Sequence, residues 1–549
     1  MLLSYSASAE PAPPRPRGVL LRALLCLVLA GGVAPGWAAG FHESARPDAG
    51  VLAADTLGPA AYAEAIRALS QRALDSFGVP GMSVGVIKDG RVVLSEGYGV
   101  LERGGRDPVD ANTLFAIASN TKAFTGLTLA LLAHERPGFS LEDRVTEYLP
   151  ELRFADSAVT ALANVTDLVT HRAGLGTFRG DHLWFKRGLS PKQVIALFPT
   201  LELEYPFRAG YGYSNLGFIA AGEVIAAVAA KPWGRVFEER ILGPLGMTRT
   251  VTSTYALGRA GNFATGHVSR QGDAPIAAVP WQTPGAAGGI WSSSDDMLRW
   301  LGCNLAAGVW RGDTLWPASV QRAVWRPHNT FGDAEAFTSY GLGWFMYARG
   351  EHRVMTHGGG YDGMYSRVVC VPGEGLGIVV LTNGMTGLAS AVANRIRDLY
   401  LDAETPAGQA DDPGANDWLA AALTRQRDGD RAWRERQDSV GHRLRAAAGR
   451  PSVAPLRAGA YTDPAFGTFV VESAGGALSL EFPASGQLGA RLRPVGGDAY
   501  ELTWDERHAW FDRGLAYVTR GPDGREALRL YIPNDDIFYD SVRAVREPD

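Results

Sequence analysis

Lysine is scarce in this chain, with only Lys88, Lys122, Lys186, Lys192 and Lys231 among 549 residues, and the net charge of -5 is spread without a strong basic block. A chain lacking such a block has no electrostatic footprint for nucleic acid. Cysteine is scarcer still, at three. Cys26 falls in an apolar N-terminal run, which leaves Cys303 and Cys370 for the rest of the molecule. Two thiols do not make a disulfide framework, and both are expected to be buried, one in a helix and one in a strand. The ten histidines form no His-x-x-x-His or similar cluster, and neither cysteine has metal-ligand spacing. No metal and no cofactor are therefore expected. The apolar run Ala23 to Val33 is short for a full membrane span. What remains is ordinary globular composition, 46% hydrophobic and 20% charged, long enough for two to four domains.

The N-terminus has its own texture. Arg15, Arg17 and Arg22 precede the apolar run, and Gly36-Trp37-Ala38-Ala39 follows it. Residues 1–39 read as a secretory signal cleaved near Ala38 or Ala39, so export to the periplasm or the medium is expected. Left uncleaved, the segment would be an anchor, the one route to a membrane.

Residues 52–404 read as one domain. Pro59 to Phe77 has the spacing of an amphipathic helix. Met82 to Ile87 and Val92 to Gly97 are strands joined through Asp89-Gly90, a hairpin signal. Helical patterns dominate from Ser119 to about Leu242. Strands return at His352 to His357, which ends in three glycines, and at Ser366 to Val371 and Leu376 to Leu381; a helix from about Leu388 to Tyr400 follows. Strands at both ends with helices between predict an α+β fold, an antiparallel sheet packed with helices. Residues 405–450 read as a linker and a charged, solvated helix. Residues 451–549 carry short alternating segments, among them Ala509 to Phe511, separated by turns, and predict a small all-β domain, an up-and-down barrel.

The chemistry concentrates in a few places. Ser119-Asn120-Thr121-Lys122 stands at the expected start of a largely buried helix, and Lys122 is the one lysine with a serine three residues before it. Residues three apart on a helix share a face, so Lys122 can reach the Ser119 hydroxyl. A serine is a weak nucleophile until a base takes its proton, and a lysine can be that base when burial lowers its pKa. Tyr213-Ser214-Asn215 precedes an apolar helix. A phenol there can relay a proton, and Asn215 can bond a substrate amide or Lys122; alone, the motif is weak and a buried core tyrosine is the better reading of it. His357-Gly358-Gly359-Gly360 ends a strand. Its glycines allow a substrate to lie against the strand edge, and the Gly360 N–H paired with that of Ser119 can form an oxyanion hole. A flexible turn is the plain alternative.

Ser-x-x-Lys, Tyr-x-Asn and a glycine-rich strand in this order resemble the serine β-lactamase and penicillin-binding-protein superfamily, most of all its class C-like branch of D-stereospecific peptidases and esterases, the S12 peptidase type. The stretches Thr170-His171-Arg172-Ala173-Gly174-Leu175, Ala287 to Asp296 and Tyr340-Gly341-Leu342-Gly343-Trp344 agree with it. The resemblance covers about Leu57 to Tyr400, and the C-terminal region is similar to the β-barrel appended to some of these peptidases. It implies a serine hydrolase with Ser119 acylated, Lys122 as base, Tyr213 assisting proton transfer, His357 as a further catalytic residue, and Asn215, Gly359 and Gly360 binding substrate. It also implies short D-residue peptides, cell-wall fragments or small esters as substrates. His357 stands where β-lactamases and transpeptidases usually carry lysine, and a largely neutral histidine argues against strong β-lactamase activity. His171 is expected to be structural. A class C-type β-lactamase and a penicillin- or muropeptide-binding sensor without turnover are the alternatives.

Overall fold

The computed structural model describes residues 58–268, 274–332, 338–401, 417–451 and 455–548, except 465, 484, 486–487, 522, 535–536 and 538–541. The expected signal segment, residues 1–39, and the linker residues 405–416 lie outside the described residues.

Helix α1 (Pro59–Phe77) opens with Pro59 at its first turn and ends at Gly78, whose φ of 64° supplies the left-handed cap. Its buried residues Ala63, Ile66, Leu69, Ala73 and Phe77 recur every three or four positions and define one face. Strands β1 (Gly81–Lys88) and β2 (Arg91–Gly99) follow. They turn through Asp89 and Gly90 at φ of 50° and 74°, the double positive φ of a tight hairpin. The middle of the domain holds α2 (Thr121–Glu135), α3 (Asn215–Ala229) and α4 (Ser294–Leu305). Then come β3 (Asn329–Phe331), β4 (Thr338–Tyr340), β5 (Phe345–Arg349), β6 (His352–Tyr361), β7 (Met364–Val371), β8 (Leu376–Thr382) and α5 (Leu388–Leu401).

These strands form one antiparallel sheet in the order β2-β1-β8-β7-β6-β5-β4-β3. The sequence-distant β1 and β8 are neighbours, with Met82 opposite Thr382. One face buries Val84, Val86, Ile378 and Val380 against α1 and α5. The other packs Ile87, Val379 and Leu381 with Leu298 and Leu301 of α4. Cover on both faces explains why the central strands read as continuous apolar runs rather than alternating ones. The expected α+β domain is present. Cys303 in α4 and Cys370 in β7 are buried and free.

One strand differs from the sequence reading. β6 does not end at His357 but continues through the three glycines to Tyr361, pairing His357 with Val368 and Tyr361 with Met364. Its pairing with β5 stops at Thr356, so, among the described residues, 357–361 have a strand partner on one side only.

Helix α6 (Trp418–Ala447) is more than a solvated connector. Ala422 packs in the α1–α5 layer, while Val440 and Ala447 cluster with Ala499 and Leu515 of the C-terminal region. That region is a closed antiparallel barrel of β9 (Gly459–Asp463), β10 (Gly467–Ala474), β11 (Ala477–Glu481), β12 (Gly489–Gly496), β13 (Ala499–Trp504), β14 (Gly514–Arg520), β15 (Glu526–Tyr531) and β16 (Arg543–Arg546). Consecutive strands pair and β16 returns to β9 through Tyr461–Arg546 and Thr462–Val545. Strands β9 and β12 were not legible as such. Ala509 to Phe511, which reads like a strand, lies instead in the loop between β13 and β14.

Candidate active site

Ser119 sits in a 3-10 turn, Ala118–Asn120, that leads directly into α2. Ala118 has a φ of 45°, a left-handed conformation that costs a non-glycine residue roughly 1–2 kcal/mol. The strain is held in place by contacts to the sheet. The Ser366 hydroxyl of β7 donates to the Ile117 carbonyl at 2.8 Å, and the Asn120 amide donates to Ser366 at 2.7 Å. Gly359 of β6 backs the same turn. A Cβ built on it would stand 2.1 Å from the Ile117 carbonyl oxygen, so only glycine lets strand and turn approach this closely.

Lys122 lies one helical turn beyond Ser119 and is 0% exposed. Its Nζ meets Ser119 Oγ at 2.9 Å, Asn215 Oδ1 at 2.8 Å and the Ala287 carbonyl at 2.9 Å. The last two can only accept. A neutral amine has two N–H groups and one lone pair, so once those acceptors take both protons the lone pair faces the Ser119 hydroxyl. Burial brings the Lys122 pKa down to about 7, against the opposing pull of Asp181. Near neutrality a large fraction of this lysine is therefore a base. The Tyr213 and Phe218 rings flank the amine, with centroids 4.8 and 5.3 Å from Nζ.

Asp181 completes the arrangement, and sequence reasoning missed it. Asn215 Nδ2 donates to Asp181 Oδ2 at 2.8 Å, while Trp184 Nε1 donates to Asp181 Oδ1 at 2.9 Å. A carboxylate that only accepts fixes which end of the Asn215 amide is nitrogen, and hence which end faces Lys122. Asp181 lies in no motif. Its signal was an acid two residues before the apolar stretch Leu183-Trp184-Phe185, which is easily taken for an ordinary helix start.

The histidines form a neutral wall. His357 is buried, with Nε2 2.9 Å from the Tyr340 hydroxyl and Nδ1 2.6 Å from the Gly358 carbonyl. A carbonyl only accepts, so the ring proton belongs on Nδ1 and Nε2 accepts from Tyr340. Burial, then the nearby Lys122, push its pKa to about 3. His171 accepts from the Ser214 N–H at 3.0 Å and packs its ring 4.5 Å from both Tyr213 and Tyr340. Burial holds it too well below the usual histidine range. It props the Tyr213-Ser214-Asn215 corner, the structural position expected of it. The structure thus gathers Ser119, Lys122, Tyr213 and Asn215 into one cluster, with His357 behind it and Gly359 against the nucleophile turn. Gly360 is the next residue along the strand edge.

The Beta-lactamase family profile matches residues 66–403. The chain belongs to this family. An unguisins hydrolase of Aspergillus campestris is 29% identical over 337 residues, which cover 59% of this chain and 61% of that one. Protein flp of Staphylococcus aureus is 26% identical over 310 residues, covering 56% and 60%. The chain thus spans about three fifths of the length of these curated relatives. The octameric penicillin-binding protein homologue from Pyrococcus abyssi shares the fold, at a TM-score of 0.54 and 18% identity, over 88% of this chain and 99% of the other. The family domain and the closed barrel after it agree with the resemblance read from the motifs. Membership relates residues 66–403 to the β-lactamases.

Proposed function

We propose that the protein is an exported serine hydrolase of the S12 peptidase or esterase type, acting through an acyl-enzyme on Ser119. The contact between the Lys122 amine and the Ser119 hydroxyl, 2.9 Å in a fully buried setting, carries this reading. The Lys122 lone pair takes the Ser119 proton as Oγ bonds to the substrate carbonyl carbon. The backbone N–H groups of Ser119 and Gly360 hold the resulting oxyanion. When the tetrahedral adduct collapses, the bond to the leaving amine or alcohol breaks, and the leaving atom receives the proton from Lys122 through the Tyr213 phenol. Water then adds to the acyl carbon and gives a proton to the Lys122–Tyr213 pair; the Oγ–carbon bond breaks, Oγ takes that proton back, and the acid leaves with Ser119 free.

The substrates are short peptides containing D-residues, cell-wall fragments or small esters. A free edge at residues 357–361 suits an extended chain. His357, buried and neutral, offers no fixed charge for a substrate carboxylate, which disfavours a β-lactamase. The test is hydrolysis of p-nitrophenyl acetate by wild type beside Ser119→Ala. Turnover lost in the variant, with circular dichroism unchanged, is the expected result. Turnover retained by a folded Ser119→Ala would refute the mechanism.

A further inference from the structure

The barrel meets the catalytic domain at Phe466, which stacks on His182 with centroids 5.9 Å apart, and at the loop between β13 and β14, residues 505–513. Four contacts pin this loop. His508 Nδ1 is 2.9 Å from Lys186 Nζ in a buried pair. Ala509 and Trp510 pack with Val268, Ile276 and Met385. Phe511 stands edge-on to Phe185, with centroids 6.1 Å apart. The Trp510 indole also lies beside the Asp362 carboxylate, which accepts from Trp281 Nε1 at 3.1 Å. Trp281 in turn lies beneath the nucleophile turn: a Cβ on Gly288 would meet its ring at 2.7 Å and the Ala118 carbonyl carbon at 3.6 Å. A Cβ placed on Gly360 would find the Trp510 ring at 3.5 Å, closer than any other atom. The barrel loop therefore covers the strand at the residue given to the oxyanion.

Direction along the strand decides which part of a substrate meets Trp510. The leaving group must face the proton source, Tyr213, whose ring lies 6.1 Å from that of His357. With the carbonyl oxygen at Gly360, the acyl arm points the other way, toward Tyr361 and Asp362. None of the loop contacts is needed for the catalytic steps, and an isolated barrel would not spend a tryptophan and a buried histidine on its surface.

We infer that Trp510 is a specificity-determining residue: from the barrel, it closes the acyl side of the cleft and selects compact acyl groups. This rests on the acyl-enzyme reading above. The full-length wild type, Trp510→Ala and Lys186→Met are compared on p-nitrophenyl acetate, butyrate and octanoate, with the fold checked by circular dichroism and thermal melting. The readout is the ratio of kcat/KM for octanoate to that for acetate. It is expected to rise at least tenfold in Trp510→Ala. Lys186→Met, which frees the loop at its other anchor, is expected to move the ratio the same way by a smaller factor. An unchanged ratio in a folded variant that still turns over acetate overturns the inference while leaving the hydrolase reading standing. Should Trp510→Ala not fold, an unchanged ratio in folded Lys186→Met overturns it. A wild type inert toward all three esters removes the ester-hydrolase part of that reading, and this inference falls with it.

Discussion

If Lys122 is the base, its protonation sets the rate at low pH, and Asp181 sets where that limb falls. The active form is the neutral amine. With a pKa of about 7 in the folded protein, kcat/KM should reach a plateau above neutrality and fall about tenfold per pH unit well below it. At pH 5 about one molecule in a hundred would carry a free lone pair. The ammonium and the Asp181 carboxylate sit at opposite ends of the Asn215 amide, with a 2.8 Å hydrogen bond at each end. Allowing for the width of the amide, they lie about 7 Å apart, worth about 2 kcal/mol at an effective dielectric near 20. Asp181 stabilises the charged lysine, so Asp181→Asn should lower the Lys122 pKa, by about one to one and a half units. The acid limb should move to lower pH by that amount. The variant will also lose rate at its plateau, because an asparagine has one acceptor for the two donors that Trp184 and Asn215 present. Midpoint rather than height is therefore the measure. The assay is p-nitrophenyl acetate hydrolysis from pH 4.5 to 9, followed at the isosbestic wavelength of the product. A wild-type rate flat from pH 5 to 8, or an Asp181→Asn midpoint equal to or above that of wild type, would show that Lys122 is not the titrating base.

Two further outcomes test the scaffold. Gly359→Ala should abolish ester hydrolysis by displacing either β6 or the nucleophile turn, since the added Cβ would overlap the Ile117 carbonyl; full activity in that variant would deny the close approach. Asp167 is fully buried between Arg172 at 2.6 Å and Arg208 at 2.7 Å, and also receives the Asn164 N–H. Removing it by Asp167→Ala leaves two arginines without their partner and should cost about 3–5 kcal/mol in urea unfolding; a loss under 1 kcal/mol would mean the arginines find other acceptors.

Much of this was legible in the chain. The Ser119–Lys122 pairing follows from helical spacing alone, and the β1–β2 hairpin follows from Asp89-Gly90. The antiparallel sheet follows from strands at both ends of a helical block. What escaped shares a physical cause: each depends on a partner far away in sequence. The extension of β6 through three glycines is dictated by β7 across from it, overriding the poor strand preference of glycine. Asp181 has meaning only once Asn215 is folded against it. Ala509 to Phe511 reads like a strand because its apolar residues pack on another domain, and a short apolar run cannot tell that surface from a barrel interior. The resemblance supplied the roles of Tyr213 and Asn215, which their spacing alone would have left as core residues.

The pairing of β1 with β8 has a consequence for how the molecule comes to exist. Until Leu376 to Thr382 has been made, β1 presents a bare apolar edge, and no local contact can substitute for its missing neighbour. Closing a loop of hundreds of residues makes this a slow, late event during synthesis. The Ser119 turn rests on β6 and β7, which belong to the same late segment. A chain cut anywhere before that segment would therefore be inactive and prone to pair with its own copies, however intact its Ser-x-x-Lys motif.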